Sequence, residues 1–234
     1  MPRQVRGFYC IDLWGTPKLI AKQNSKRMSR RTTAIAAALS VLALGSPLIT
    51  ACANPLANNL YNSGLDKYEQ GDYQGAIDDW SKAIEINPEY AKAFVNRGAA
   101  KAELGDYQGA IADYNKAIIV NPKDAKAYYN RGNVKDDLKD YKGAISDYSR
   151  AIEINPQYAI AYSNRGASKL NLEDNKGAIE DFNKAIELDP QYADAYENRG
   201  IARELANDLE GACRDWRKAA DLGKERSAEW VDQC

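Results

Sequence analysis

One stretch of sequence, which is repeated several times along the chain, decides the fold. Residues 73–88 read YQGAIDDWSKAIEINP. Close copies follow at intervals of 34 residues, at residues 107–122, 141–156 and 175–190. Within the first copy, Ile77, Trp80 and Ile84 are three and four residues apart, which is the spacing of one face of an α-helix. The sequence therefore predicts an amphipathic helix that recurs with a fixed period.

Three columns of residues keep the same 34-residue period. One column is glycine: Gly64, Gly98, Gly132, Gly166 and Gly200. Another is aromatic: Trp80, Tyr114, Tyr148, Phe182 and Trp216. The last is proline: Pro88, Pro122, Pro156 and Pro190. A period of this length indicates helix pairs that bury their apolar faces by stacking on one another.

The pattern resembles the tetratricopeptide repeat family over about residues 57–223. The resemblance implies an all-α fold, a right-handed α-solenoid of five helix pairs within residues 54–224. The repeats, which we number 1 to 5, span residues 57–90, 91–124, 125–158, 159–192 and 193–224. Proline ends the second helix of repeats 1–4, whereas Lys224 replaces it in repeat 5. Residues 225–234 are expected to form a capping helix, with Ala228, Trp230 and Val231 against the last repeat.

The turn inside each repeat changes along the chain. Gly71 and Gly105 supply it in repeats 1 and 2, and we expect more strain in repeats 3–5, where glycine is replaced by Lys139, Glu173 and Asn207. An aspartate precedes each second helix and can cap its free N–H groups. A glycine follows in the first turn of that helix, at Gly75 in repeat 1, although glycine is unfavourable inside helices. The sequence alone offers no reason for it.

Residues 1–53 are expected to be a leader outside the fold. Eight basic residues and one acidic residue fall within residues 1–31, and residues 34–44 are an uncharged apolar run. A basic segment, a short apolar segment and small residues after it indicate a secretory signal. Either Met1 or Met28 is the start of the chain.

Two processing patterns fit the end of this leader. Residues 51–53 read ACA, an A-x-A cleavage site that would release a soluble exported protein. Residues 49–52 read ITAC and resemble the bacterial lipobox, which implies a lipid on Cys52. We favour the lipobox. The protein is thus expected to be periplasmic or tethered to the membrane by lipid, with no other membrane contact.

Cys213 and Cys234 are the two cysteines left in the body of a chain that we expect to be exported. If the chain turns near Gly223, antiparallel helices bring them to similar heights. We predict a disulfide that ties down the capping helix; the alternative is a buried thiol at Cys213 and a frayed terminus.

Composition argues against catalysis and nucleic-acid binding. The chain has no histidine, which excludes His-based catalysis and His-ligated zinc, and we expect no enzyme activity, metal or cofactor. Of its 32 basic and 33 acidic residues, those after residue 31 number 24 and 32, and such an acidic body repels phosphate backbones.

The resemblance implies a concave groove, lined by the first helix of each repeat, that holds a protein or peptide. We assign eight residues to this groove: Tyr61, Asn62, Asn96, Tyr129, Asn130, Asn133, Asn164 and Asn198. Their amides can pair with an extended peptide backbone; the alternative is that the asparagines bond between adjacent repeats. Acidic groove residues such as Asp136 and Asp137 favour a partly apolar, basic segment.

The expected function is a non-enzymatic protein-interaction scaffold of the bacterial cell envelope. The alternative is an architectural solenoid that self-associates into homo-oligomers without a peptide ligand.

Overall fold

The computed structural model describes residues 10–11, 17–18, 54–232 and 234. The chain divides into two units, residues 1–53 and 54–234. In the first unit, strands β1 (Cys10–Ile11) and β2 (Pro17–Lys18) pair antiparallel, with Cys10 opposite Lys18. The predicted apolar signal segment, the cleavage patterns and Cys52 lie outside the described residues.

The second unit is built of helices in consecutive antiparallel pairs. They are α1 (Pro55–Glu69), α2 (Tyr73–Ile86), α3 (Ala91–Glu103), α4 (Tyr107–Val120), α5 (Ala125–Asp137), α6 (Tyr141–Ile154), α7 (Ala159–Asn171), α8 (Asn175–Leu188), α9 (Ala193–Leu205), α10 (Leu209–Asp221) and α11 (Glu225–Val231). The prediction of an all-α solenoid of five helix pairs followed by one more helix is confirmed.

The first helices of the repeats form one face of the solenoid. Within each repeat the two helices pack closely, and each second helix also packs on the next first helix. In addition, α3, α5, α7 and α9 contact one another in order, whereas the second helices make no comparable contacts within residues 54–232. The first helices of the repeats therefore line the inner face, which we call the inner groove, and α2, α4, α6, α8 and α10 lie outside it.

The glycine and aromatic columns meet inside each repeat. Gly132 on α5 and Tyr148 on α6 are both buried, and a Cβ atom added to Gly132 would lie 2.7 Å from Tyr148 Cε1. The other four pairs of these columns meet in the same way. A column of fully buried alanines, among them Ala110 and Ala144, lets the paired helices approach closely. In the core of each repeat, the aromatic ring of the second helix thus packs directly on the glycine backbone of the first helix.

The unexplained glycine in each second helix follows from the aspartate cap. In repeat 2, the Gly109 N–H donates to Asp106 Oδ1 at 2.9 Å. A Cβ atom on Gly109 would lie 2.0 Å from Asp106 Oδ2. The same bond and the same close approach recur in the other four repeats. Glycine therefore leaves room for the capping carboxylate, which satisfies an N–H group that the helix cannot pair.

The turns of repeats 3–5 have the left-handed backbone that glycine tolerates best. The φ angles of Lys139, Glu173 and Asn207 are 62°, 63° and 64°, and those of Gly71 and Gly105 are 79° and 80°. A side chain costs free energy in this conformation, least for asparagine.

Replacing Lys139 by glycine is therefore expected to raise the free energy of unfolding by about 1 kcal/mol, because the relief of left-handed strain exceeds the entropy that glycine adds to the unfolded chain. Urea unfolding followed by circular dichroism measures the change. Gly105→Ala is the matched control and should lower stability by a similar amount. An unchanged or lowered stability for Lys139→Gly would contradict the account of strain.

The last helix is fastened to repeat 5 by three kinds of contact. A disulfide joins Cys213 and Cys234. The Trp230 ring lies 5.1 Å from that of Trp216, and Ser227 Oγ donates to Glu197 Oε2 at 2.8 Å. The sequence analysis placed Ala228 against repeat 5, and this was wrong: Ala228 is exposed and its neighbour Ser227 is fully buried, because Ser227 turns toward the Glu197 carboxylate.

Candidate functional site

A ladder of ion pairs with buried aspartates crosses the solenoid between its two layers. In repeat 3, Arg131 Nε and Nη2 donate to Asp147 Oδ2 and Oδ1 at 2.9 and 2.5 Å, and Lys135 Nζ lies 2.7 Å from Asp147. Arg131 Nη1 also donates to Asn115 of the preceding repeat. Equivalent ion pairs join Arg97 to Asp113, Arg165 to Asp181 and Arg199 to Asp215. These arginines therefore connect neighbouring repeats and are not available to a ligand.

Several of the predicted groove residues also bond between repeats. Asn96 Nδ2 donates to the Tyr61 hydroxyl at 3.0 Å. Two repeats later, Asn164 Nδ2 donates to the Tyr129 hydroxyl at 3.1 Å and to Asn133 Oδ1 at 3.0 Å. For these five residues the structure shows the inter-repeat bonding that the sequence left as an alternative. Asn62 is exposed on α1, and Asn198 is half-buried on α9.

Repeats 2 and 4 lack the tyrosine and the asparagine that repeat 3 uses for this bonding. Val95 and Ala99 occupy the positions that Tyr129 and Asn133 hold in repeat 3, so Asn130 finds neither a hydroxyl nor an amide on the preceding repeat. Within residues 54–232, the Asn130 side chain makes no hydrogen bond.

Because Ala99 has no polar side chain, the core tyrosine of repeat 2 lacks the hydrogen-bond partner that Asn133 provides in repeat 3. In repeat 3 the Tyr148 hydroxyl donates to Asn133 Oδ1 at 2.8 Å. The equivalent residue in repeat 2 is Tyr114, which is only 2% exposed, and its hydroxyl has no hydrogen-bond partner within residues 54–232. Within residues 54–232 the fully buried side-chain atoms without a partner are Asn175 Oδ1 and Trp216 Nε1, so the Tyr114 hydroxyl oxygen is accessible to solvent although the residue as a whole is buried.

Tyr114 and Asn130 line the same cavity, of about 530 Å³, between repeats 2 and 3. Its other lining residues are Tyr68, Ala99, Ala102, Glu103, Tyr107, Asn133, Val134 and Asp137. A smaller cavity of about 340 Å³ continues along the inner groove and shares Asn133 and Asp137 with the first. The inner groove thus has a depression beside the Asn130 amide and the Tyr114 hydroxyl.

The cavity is polar and acidic. The Tyr68 hydroxyl donates weakly to Glu103 Oε1, at 3.5 Å. Burial, and then the charge of Asp136, raise the pKa of the Asp137 carboxyl. Burial also raises the pKa of Tyr114, with added contributions from Tyr68, Asp113 and Glu103, so this hydroxyl keeps its proton at neutral pH.

Asn130 and Asn133 were predicted from the sequence to line the groove, whereas Tyr114, Glu103 and Tyr107 were not. Tyr114 belongs to the aromatic column and was counted as core. The signal that could have identified it is Ala99, because repeat 3 has Asn133 at this position and that asparagine is the partner of the equivalent hydroxyl.

Removing each of the two hydroxyls is expected to have different effects on stability. Tyr148→Phe should lower the free energy of unfolding by about 1 kcal/mol, because it breaks a hydrogen bond and leaves Asn133 Oδ1 with one donor fewer. Tyr114→Phe should leave stability unchanged or slightly raised, because no bond is lost. Parallel urea titrations of the two variants check this. Equal losses would show that Tyr114 does have a partner.

Within residues 54–232, no group of three or more acidic or cysteine side chains is placed to hold a metal ion. No helix in the described part of the chain has the length and apolar character needed to cross a membrane.

Comparisons with known proteins match the repeats. A family model described as TPR repeat matches residues 64–105, 100–135 and 170–205, and one described as tetratricopeptide repeat matches residues 125–158. No curated protein sequence matches the chain.

Solved structures resemble the helical unit. The crystal structure of MamA protein is 26% identical with a TM-score of 0.65, and the match covers 75% of this chain and 95% of that one. MamA from Desulfovibrio magneticus RS-1 is 25% identical with a TM-score of 0.67, covering 74% and 97%. YrrB, described as a TPR protein with an unusual peptide-binding site, is 23% identical with a TM-score of 0.64, covering 76% and 92%, a likeness of fold.

Proposed function

Because the chain belongs to the tetratricopeptide repeat family, we propose that it is a non-enzymatic scaffold that binds a protein or peptide segment in its inner groove. The observation that carries this proposal is the cavity between repeats 2 and 3, where groove side chains lack the partners that their counterparts have. Unpaired hydrogen-bonding groups in a concave depression are suited to a ligand.

The Asn130 side chain is well suited to the backbone of an extended segment. Its amide carries both a donor and an acceptor, so it can bond to a peptide group whatever the side chains on either side. Asn96 and Asn164 already donate to tyrosines of the preceding repeats, so they are less free to do the same. Recognition of the segment is thus expected to centre on repeats 2 and 3.

Photo-crosslinking in cells that make the protein tests this proposal. A photoreactive residue at position 130 is expected to give a discrete adduct with another polypeptide. The control is position 142, where Lys142 is exposed on α6 outside the inner groove. Adducts from position 142 and none from position 130 would contradict binding in the groove.

Self-association is the second candidate function, and one observation favours it. Ile119 on α4 is 72% exposed, although glutamate occupies the equivalent position in repeats 1, 3 and 4. An exposed apolar side chain on the outer layer can contact a second copy of the chain. Sedimentation velocity at increasing concentration would then show larger species, and Ile119→Glu would remove them. A monomer at all concentrations would contradict this function.

The proposal includes location: the protein is exported and acts in the bacterial envelope. The basic and apolar composition of residues 1–44 supports export, and a disulfide is typical of an oxidising compartment. The intact mass of the mature protein tests this. A chain that starts at Cys52 and carries lipid would support tethering, and residues 54–234 alone would support a soluble form. An unprocessed chain would contradict export.

A further inference from the structure

We infer that the cavity between repeats 2 and 3 is a subsite for one basic side chain, lysine or arginine, of the bound segment. This inference rests on the proposed function and specifies that the bound segment carries a basic residue. The occupant is a segment whose basic residue enters the cavity lined by Tyr68, Glu103, Tyr107, Tyr114 and Asp137.

The charge of the cavity is negative and is not neutralised from within. Glu103 and Asp137 contribute carboxylates from α3 and α5. The lysines nearest to them on the same two helices are bound elsewhere: Lys101 Nζ lies 2.8 Å from Asp113, and Lys135 Nζ lies 2.7 Å from Asp147. Both ion pairs belong to the ladder. No lysine or arginine lines the cavity, so a cation that enters it meets two carboxylates.

The Tyr114 hydroxyl is the second, independent indication of a ligand. It is nine-tenths or more buried, lies on the cavity wall, and has no partner within residues 54–232. A protonated hydroxyl has lone pairs that accept hydrogen bonds from an ammonium or guanidinium group. Binding a basic side chain would thus give this hydroxyl, which is open to the cavity, a charged hydrogen-bond donor.

The aromatic residues of the cavity suit the remainder of such a side chain. The aliphatic stem of lysine or arginine packs on apolar surface while its charged end stays polar. Tyr68 and Tyr107 offer ring surface next to the two carboxylates, and aromatic faces also attract cations. The Asn130 amide lies in the same cavity and can hold the backbone beside the inserted residue. An acidic or purely apolar side chain would leave the carboxylates and the hydroxyl without partners.

Selection from a displayed library of random linear peptides on the full chain tests the subsite. The enriched peptides are expected to share one lysine or arginine. Their affinity should fall about tenfold or more in the double variant Glu103→Gln/Asp137→Asn, and about fivefold in Tyr114→Phe, since bonds to charged groups are the stronger ones. Both carboxylates are exposed, so the isosteric double variant retains the fold. Added salt should weaken binding to the parent chain.

Two controls separate the subsite from the groove itself. Glu153→Gln/Glu187→Gln removes two exposed carboxylates from α6 and α8 of the outer layer and should leave affinity unchanged. Asn130→Trp fills the cavity and should abolish binding of any groove ligand. Peptides that lack a basic residue, bind through the groove and ignore the Glu103→Gln/Asp137→Asn variant would overturn the subsite alone. Enriched peptides that ignore Asn130→Trp, or no enriched peptides at all, would overturn the groove function as well.

Discussion

Replacing Asp147 by alanine is expected to lower the free energy of unfolding by about 3–5 kcal/mol. The Asp147 side chain is 5% exposed. It accepts two hydrogen bonds from Arg131 and forms an ion pair with Lys135. Without this carboxylate, two cations remain near the boundary of the two layers with no counter-charge. Urea unfolding followed by circular dichroism measures the loss, and Asp147→Asn should cost less because it keeps acceptor oxygen for Arg131.

An exposed ion pair on the same helix supplies the control. Arg150 and Glu153 form a contact of 2.7 Å on α6, with side chains 51% and 63% exposed. Glu153→Ala should change stability by no more than about 0.5 kcal/mol, because water screens and replaces this interaction. A loss for Asp147→Ala that is no larger than the loss for Glu153→Ala would show that the ladder does not stabilise the solenoid.

Gly132→Leu is expected to lower the free energy of unfolding by about 3 kcal/mol, despite the better helix propensity of leucine. The first added carbon alone would lie 2.7 Å from Tyr148 Cε1, and Tyr148 is 1% exposed. The leucine would therefore displace the ring from its buried position toward the cavity that Tyr148 lines, or separate the helices of repeat 3. Urea unfolding followed by circular dichroism, which reports the helices, measures the size of the loss.

A compensating variant tests the cause of this loss. Tyr148→Ala removes the ring that covers Gly132 and is itself expected to cost about 3–5 kcal/mol. In Gly132→Leu/Tyr148→Ala, leucine fills part of the vacated volume, so the double variant should lose less than the two single variants together. Simple additivity would show that the two residues do not meet in the folded chain.

The fold was predictable from sequence because each constraint repeats. The aromatic residue at Tyr148 requires the glycine at Gly132, and the same requirement appears once in every repeat. A column of glycine in register with a column of aromatic residues therefore reports a contact between two helices. No single repeat would carry that information, since one glycine and one aromatic residue are compatible with many folds.

The groove residues were harder to predict. The position of a residue in its repeat indicates which face of the helix it lies on, but not whether its side chain is already hydrogen-bonded to another residue. Asn96 and Asn164 lie where the family resemblance places them, but their amides are used by tyrosines 35 residues earlier in the chain. Whether an asparagine is available depends on the residues of the preceding repeat. Asn130 follows Val95 and Ala99, and Asn198 follows Ser163 and Ala167, so both lack the tyrosine and asparagine partners of Asn164. These differences are informative only once the inter-repeat bonds are known.

The two ends of the array are secured unequally, and this determines where it opens. In repeat 1, Ser63 occupies the position of arginine in the other repeats, and Asp79 contacts Ser63 and Lys67 of α1 and, at 4.0 Å, Lys82 of its own helix. At the other end, a covalent cross-link holds α11. Amide hydrogen exchange should therefore be fastest in α1 and α2 and slowest toward repeats 3–5. Because each repeat contacts only its neighbours, a protease that trims the chain from its first pair of helices would leave a shorter and still folded array.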